Sequence, residues 1–283
     1  MSNLVGFAGS IGSGKTTQMR FLHGFVMKNL IPSPNNFTDT LIDKYQIDKD
    51  GNLLIHGRFA DGMGYGELDC HSRDPDVCGY LQDNVWEHVK GFSVASVLKD
   101  IGINLFGIPE ECIYGTQEQK LQETHLRWEN MPGVVPIISF STPEEADKHY
   151  EFCQKYGVMV HEPGPMTGRD FMQYFGTEVC RRMYSNVWID SCLAKIVQSR
   201  TNLAIIDDIR FNNEREAVQE AGGCVIYLDR GLDGGTHSSE NSIDIDKCNF
   251  IVDCKDKNIE QTCMIVLAIL QDNEILPMVG DHI

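Results

Sequence analysis

The chain has 283 residues, enough for one large α/β domain with insertions or for two small domains, and its 42% hydrophobic content suits a packed core. We expect one domain with insertions. Its formal net charge of −17 argues against general nucleic-acid binding, because affinity for a phosphate backbone needs clustered lysine and arginine side chains. No apolar run reaches the ~18 residues of a membrane span, and the first residues lack the pattern of a secretory signal. We expect a cytoplasmic protein that binds neither membranes nor nucleic acid.

The ten cysteines are scattered from Cys70 to Cys263 and never form a Cys-x-x-Cys pair. This spacing favours neither a zinc site nor a redox pair. Free thiols in a reducing compartment are therefore expected.

In chain order, the first half combines regular elements with a segment that lacks periodicity. Apolar spacing predicts a strand at 4–8, a helix at 16–27 and a further helix at 38–44. Residues 45–83 are rich in Gly and Asp around a turn at 49–52, and they predict a β-rich inserted subdomain with a hairpin. Helices are then expected over 92–106 and 142–156, with a weak strand between them at 133–140.

In the second half, one or two helices are expected over 167–195, interrupted near Gly176. Short apolar strands at 203–206, 224–228 and 251–252 then alternate with helices at 213–220 and 259–270. This alternation predicts a single α/β domain over 1–283 whose parallel sheet is flanked by helices. A ligand site is expected at the carboxyl edge of the strands.

The segment GSIGSGKTT at 9–17 matches the phosphate-binding loop pattern and lies between a predicted strand and a predicted helix. In such a loop the backbone amides point at phosphate oxygens, and the helix that follows presents its positive end. Lys15 should bridge the β- and γ-phosphates, Thr16 should bind Mg²⁺, and Thr17 should assist at the α-phosphate. The loop residues expected to cradle the phosphates are Gly9, Ser10, Gly12, Ser13 and Gly14. An ordinary Gly-rich turn is the alternative.

A second signal is the pair Asp207 and Asp208 at the end of a predicted strand, followed by Arg210. A carboxylate at this place could support the metal, and we choose Asp208 over Asp207. Arg210 would stabilise charge on the transferred phosphoryl group. A surface turn would also use aspartate here.

A third signal is Arg169, together with Arg181 and Arg182, on a predicted helix. Arginine suits a bidentate grip on a second phosphate, which an acidic protein must place deliberately. Solvated arginines on an amphipathic helix are the alternative interpretation.

Taken together, these motifs resemble those of the bacteriophage deoxynucleoside monophosphate kinases of the T-even type. The resemblance is carried by GSIGSGKTT, by GRDFMQYFGTE at 168–178, and by IIDDIRFNNEREAVQEAGGCVIYLDR at 205–230 followed by THSSE. It implies a P-loop kinase fold, ATP and Mg²⁺ as the phosphoryl donor, and a deoxynucleoside monophosphate as the acceptor. It also places Arg169 and Gln173 on the acceptor side, within a helical acceptor-binding or lid region over 84–200. Arg230 and residues 237–240 then fall near the adenine of ATP.

Two departures from the family pattern bear on the acceptor. Residues 94–99 read VASVLK where many relatives have FADPLK, so any acceptor role of that aspartate is lost or moved. The 45–83 insertion, absent from shorter members, could be a lid, a homodimer arm or decoration. Trp128 could stack on the acceptor base, although a packed tryptophan is the alternative.

The prediction is therefore ATP-dependent phosphorylation of deoxynucleoside 5′-monophosphates, with small-molecule nucleotides as the partners. Two alternatives stay open: a kinase for another small anionic acceptor, and a non-catalytic switch that responds to the γ-phosphate. The Asn/Thr-Lys-x-Asp signature of a GTPase is absent, which lowers the second option.

Overall fold

The structure is a computed structural model that describes residues 3–33, 36–59, 62–138, 140–231 and 243–279. It divides into two compact units, the first formed by Met1–Val94 with Ile189–Ile283 and the second by Ala95–Trp188. Residues 237–240, expected near adenine, lie outside the described ranges. The proposed boundaries at 45–83 and 84–200 stay a prediction.

The first unit contains a five-stranded parallel sheet whose strands lie in the order β14, β13, β1, β12, β7. Two smaller antiparallel sheets, β2–β3 and β4–β5–β6, follow the first helix in the chain. The strands of this unit are β1 (Asn3–Ala8), β2 (Pro32–Ser33), β3 (Asn36–Thr40), β4 (Lys44–Ile47), β5 (Leu53–Phe59), β6 (Gly62–Glu67), β7 (Val89–Phe92), β12 (Leu203–Ile209), β13 (Cys224–Asp229) and β14 (Phe250–Asp253). Its helices are α1 (Lys15–Asn29), α2 (Pro75–Asn84), α8 (Val187–Ser199, from Ile189 onward), α9 (Asn212–Glu220) and α10 (Ile259–Asp272).

The three inner strands of the central sheet, β13, β1 and β12, are short and largely apolar, and they are buried along almost their whole length. Phe7, Ile205 and Ile226, on three neighbouring strands, have no exposed surface. Strands buried in this way read as continuous apolar segments, as expected for a parallel sheet between helices. The predicted fold class is thus confirmed, and the carboxyl ends of all five strands meet at one edge.

The hairpin predicted around residues 49–52 is present as the antiparallel pair β4–β5. Its turn is closed by Asp48, whose carboxylate accepts hydrogen bonds from Asp50 N at 2.9 Å and Asn52 N at 2.8 Å. The Arg20 guanidinium on α1 donates to the carbonyl of Gly51 at 3.1 Å. The turn is therefore held against the first helix.

The helix predicted at 38–44 is wrong, since β3 and the start of β4 lie there. The segment has the threonines and short polar residues that favour extended and turn conformations over a helix interior. Thr40 Oγ1 donates to the carbonyl of Ile42 at 3.0 Å, a local bond that competes with helical pairing.

The second unit is mainly helical, with two small two-stranded sheets, β8–β11 and β9–β10. The first helical stretch predicted at 167–195 does not stop at Gly176, because α7 continues into a wide π-helical segment, Tyr174–Arg181. The elements are α3 (Ser96–Asn104), α4 (Glu110–Tyr114), α5 (Gln117–Lys120), β8 (Glu123–Arg127), β9 (Val134–Pro136), α6 (Pro143–Tyr156), β10 (Met159–His161), β11 (Pro165–Thr167) and α7 (Gly168–Gln173).

The described residues bear on the expectations of free cysteine thiols and of no membrane-spanning segment. All ten cysteines lie within them and none forms a disulfide. No helix in the described ranges combines the length and apolar character needed to cross a membrane.

Candidate functional site

The loop between β1 and α1 has the backbone geometry that its glycines predict. Gly9, Gly12 and Gly14 have φ values of 144°, 78° and 96°, which other residues rarely adopt. A side chain at Gly9 would also place its Cβ 2.6 Å from Ser13 Oγ and 2.7 Å from the carbonyl of Leu228. Helix α1 begins directly after Gly14 without a side-chain cap. The amino end of such a helix suits an anion.

Two cations lie at this loop. Lys15 Nζ donates to the carbonyls of Gly9 at 2.7 Å and Ser10 at 2.9 Å, which folds the side chain back over the loop. Arg230, at the end of β13, donates from Nε to the carbonyl of Ser13 at 3.1 Å. The structure therefore brings Arg230 to the loop, on the side predicted for ATP.

The first helical turn of α1 connects the loop to β12. Thr16 Oγ1 donates to Asp207 Oδ2 at 2.7 Å, and the Asp207 side chain is only 8% exposed. His71 Nε2 lies 3.3 Å from the same carboxylate oxygen. Thr17 lies against the hairpin turn instead, since a Cβ on Gly51 would come within 2.4 Å of its Oγ1.

Asp207, and not Asp208, which we chose from the sequence as the metal carboxylate, makes the contact with Thr16. Asp208 accepts hydrogen bonds from Ser93 Oγ at 2.6 Å and Val94 N at 2.7 Å. The pairing of β1 with β12 shifts by one residue between Gly6 and Ala8, so β12 carries an extra residue at this point. Successive strand residues point to opposite faces, and such a bulge re-aims side chains, so the two carboxylates serve different segments.

Arg210 follows β12 at the same edge of the sheet and is exposed. Its backbone amide donates to the buried Glu214 carboxylate at 2.8 Å, as does that of Phe211 at 3.1 Å. Among the described residues its guanidinium has no hydrogen-bond partner. The backbone is thus held while the charged group stays available to a ligand.

In the second unit, Arg169 and Gln173 lie one helical turn apart on α7 and therefore share a face. Arg169 donates to the amide oxygen of Gln117. The start of α7 is held close to α4, since a Cβ on Gly168 would fall 2.1 Å from the carbonyl of Cys112. These contacts fix the helix that carries the predicted acceptor residues.

Trp128 is packed inside the second unit, so its predicted stacking on an acceptor base is not favoured. It is 8% exposed, and its ring stacks on His161 with the centroids 4.0 Å apart. Tyr174 packs edge-on against it at 5.5 Å. Trp128 is therefore a packed tryptophan, as the alternative interpretation of the sequence has it.

Sequence reasoning missed two contributors at the edge of the central sheet. Ser93 follows β7, whose residues had been assigned partly to a helix at 92–106. The signal was the apolar pair Val89 and Phe92, although four residues are too few to show a period. His71 gave no signal, because it lies in a Gly- and Asp-rich segment without periodicity.

The sheet order, the loop after β1 and the side chains gathered at the carboxyl edge define a P-loop kinase fold. The family model described as deoxynucleotide monophosphate kinase matches residues 121–264, about half of the chain. The chain belongs to this family. The matched residues include Arg169, Asp207 and Arg230 but exclude the loop at 9–17, so the loop is a separate observation.

A protein of Acanthamoeba polyphaga mimivirus, provisionally named a deoxynucleotide monophosphate kinase, is 26% identical over 217 residues. The aligned segment covers 71% of this chain and 88% of that protein. This relative comes from a virus of an amoeba, and a bacteriophage source for the present chain stays a prediction.

Proposed function

We propose that this kinase transfers the γ-phosphate of ATP to a deoxynucleoside 5′-monophosphate. The assignment of ATP as the donor rests on the loop at 9–14 and on the helix α1 that follows it. In the first turn of α1, Thr16 Oγ1 donates to Asp207 Oδ2 at 2.7 Å. The family match supports the deoxynucleotide acceptor. It favours this acceptor over another small anion and over a non-catalytic switch.

The residues at the carboxyl edge fit a bound Mg²⁺ ion. A threonine hydroxyl beside a buried carboxylate offers hard oxygen groups, and Mg²⁺ in such enzymes takes few protein ligands in addition to phosphate oxygens and water. We propose Thr16 as a ligand and Asp207, rather than Asp208, as its carboxylate support. When bound, the ion would neutralise charge on the triphosphate.

Basic side chains of the protein would bind the phosphates of ATP and neutralise their charge. Lys15, already held at the loop carbonyls, would contact the β- and γ-phosphates, and Arg230 would hold the nucleotide beside Ser13. Arg210, with its exposed guanidinium, would stabilise charge on the transferred group. Transfer to a phosphate oxygen needs positioning and charge neutralisation, so a protein general base is not required.

For the acceptor we propose Arg169 as the phosphate-binding side chain and Gln173 as its neighbour on α7. Arginine can form two parallel hydrogen bonds to a phosphate, which fixes orientation as well as charge. The amide oxygen of Gln117 already holds one nitrogen of the Arg169 guanidinium, which limits its rotation.

The experiment is an ADP-release assay with MgATP and a panel of ribo- and deoxyribonucleoside monophosphates. We expect turnover that depends on a deoxynucleotide and falls about 10³-fold in Lys15→Ala, the size of a lost preorganised charge contact. Slow ATP hydrolysis that no monophosphate stimulates would favour the switch. Turnover with an unrelated anion alone would favour the other kinase.

A further inference from the structure

The loop between β6 and α2, residues 68–74, is held on both sides of His71. Leu68 N donates to the carbonyl of Leu53 at 2.9 Å, which fixes the start of the loop to β5. His71 N donates to Asp69 Oδ1 at 2.9 Å, and Asp74 caps α2 through Asp76 N at 2.9 Å. The imidazole therefore projects from a backbone that is already ordered.

The His71 imidazole reaches the carboxylate that Thr16 contacts. Its Nε2 lies 3.3 Å from Asp207 Oδ2, the oxygen that accepts from Thr16 Oγ1 at 2.7 Å. The terminal torsion of an aspartate is broad, so hydrogen-bond partners decide its orientation. Because this side chain is 8% exposed, bulk water contributes little to that choice.

We propose that His71 is a positioning residue that orients Asp207 for the Mg²⁺–ATP complex. The β-rich insertion, of which His71 is part, thereby contributes to the donor site of the enzyme. Groups that hydrogen-bond to metal-supporting carboxylates commonly change metal affinity or activity by 10- to 100-fold when removed. This inference rests on the proposed function, since it requires MgATP as a substrate.

The test compares His71→Leu, which removes the donor, with His71→Gln, whose amide nitrogen offers one at similar reach. ATP affinity is measured by calorimetry once with Mg²⁺ and once with EDTA, and folding is checked by circular dichroism. We expect His71→Leu to weaken binding about 10-fold with Mg²⁺ and to leave binding in EDTA unchanged. His71→Gln should recover most of the loss.

His88→Leu is the matched control, because His88 is a half-buried histidine of the same unit with no side-chain hydrogen bond among the described residues. It should bind as the unchanged chain does. Should His71→Leu not fold, His71→Asn replaces it, since its shorter amide falls short of Asp207.

Equal losses with Mg²⁺ and with EDTA, or no loss in either, would overturn the role of His71 while the kinase assignment stands. Failure of His71→Gln to recover affinity would overturn it too. If the unchanged chain itself binds ATP no better with Mg²⁺ and shows no acceptor-dependent turnover, the proposed function fails first.

Discussion

The two units differ in how their functional residues are held. In the first unit, the loop at 9–14 and the ends of five parallel strands place the candidate groups through backbone geometry. In the second unit, Arg169 and Gln173 are surface residues of a short helix, and their placement depends on neighbours such as Gln117. The candidate groups of the first unit are therefore positioned by backbone geometry, whereas those of the second unit depend on neighbouring side chains. Substitutions should therefore act differently in the two units.

Of the substitutions that test this comparison, Asp207→Asn in the first unit should have the largest effect. Loss of the charge beside Thr16 should lower kcat/KM for MgATP about 100-fold. Asp208→Asn should keep the Mg²⁺ dependence, because this carboxylate holds Ser93 and Val94 instead. Steady-state kinetics over a Mg²⁺ series checks both variants, and the reverse ranking would restore Asp208 as the metal-side carboxylate.

A smaller and more selective effect is expected from Arg169→Ala in the second unit. Loss of a charge-assisted contact worth ~1.5–3 kcal/mol should raise the KM of the monophosphate by about 10- to 100-fold while the KM of ATP stays unchanged. Arg169→Lys should not recover the loss, since lysine lacks the planar fork.

The control for this prediction is Arg127→Ala, which removes an arginine of the same unit whose partner is Glu129 at 2.6 Å. Arg127→Ala should change neither the KM of the monophosphate nor the KM of ATP. A rise in the KM of ATP in Arg169→Ala would show that the donor and acceptor contacts are not separable in this way.

The third effect is on stability and not on catalysis. It concerns His23, a buried residue of α1 whose Nδ1 lies 2.9 Å from the carbonyl of Met19. Burial lowers its pKa from 6.5 to about 4, so between these values the unfolded chain binds a proton that the folded chain excludes. Stability should therefore fall as the pH drops below ~6.5, by about 2 kcal/mol at pH 5. Urea unfolding at pH 7 and pH 5 measures this loss.

His23→Leu is the comparison, because leucine has a similar size and does not titrate. It should remove about 2 kcal/mol of the difference in unfolding free energy between the two pH values. An unchanged pH dependence would mean that His23 is reached by water or is protonated in the folded state.

Much of the first unit could be predicted from sequence because its signals are local. The loop at 9–17 requires glycines at fixed spacing, and β1, β12 and β13 contain the apolar runs at 4–8, 203–206 and 224–228. Strand β7 was missed because four residues with Lys90 and Gly91 in the middle show no period. The choice between Asp207 and Asp208 depends on a register shift between β1 and β12, which no local pattern reveals.

In the second unit, the capped helix α6 was predictable from Thr142 and Pro143, since both are local start signals. The packing of Trp128 on His161 was not, because the two residues are distant in sequence and meet only through the fold. Trp128 directly follows β8, which pairs with β11, whereas His161 ends β10, which pairs with β9. Aromatic residues can therefore be assigned to a site or to a core only after the pairing is known.

The extra residue in β12 also has a consequence for chain length. Ile206 pairs with Gly6 and Ile209 pairs with Ala8, so three steps along one strand match two along the other. A deletion of one aspartate would restore one-to-one pairing between β1 and β12. Only one carboxylate would then remain for the contacts with Thr16 and Ser93. In an alignment of relatives, a single gap here should accompany the loss of either the Thr16 contact or the Ser93 contact. The number of residues at this point therefore matters as much as their type.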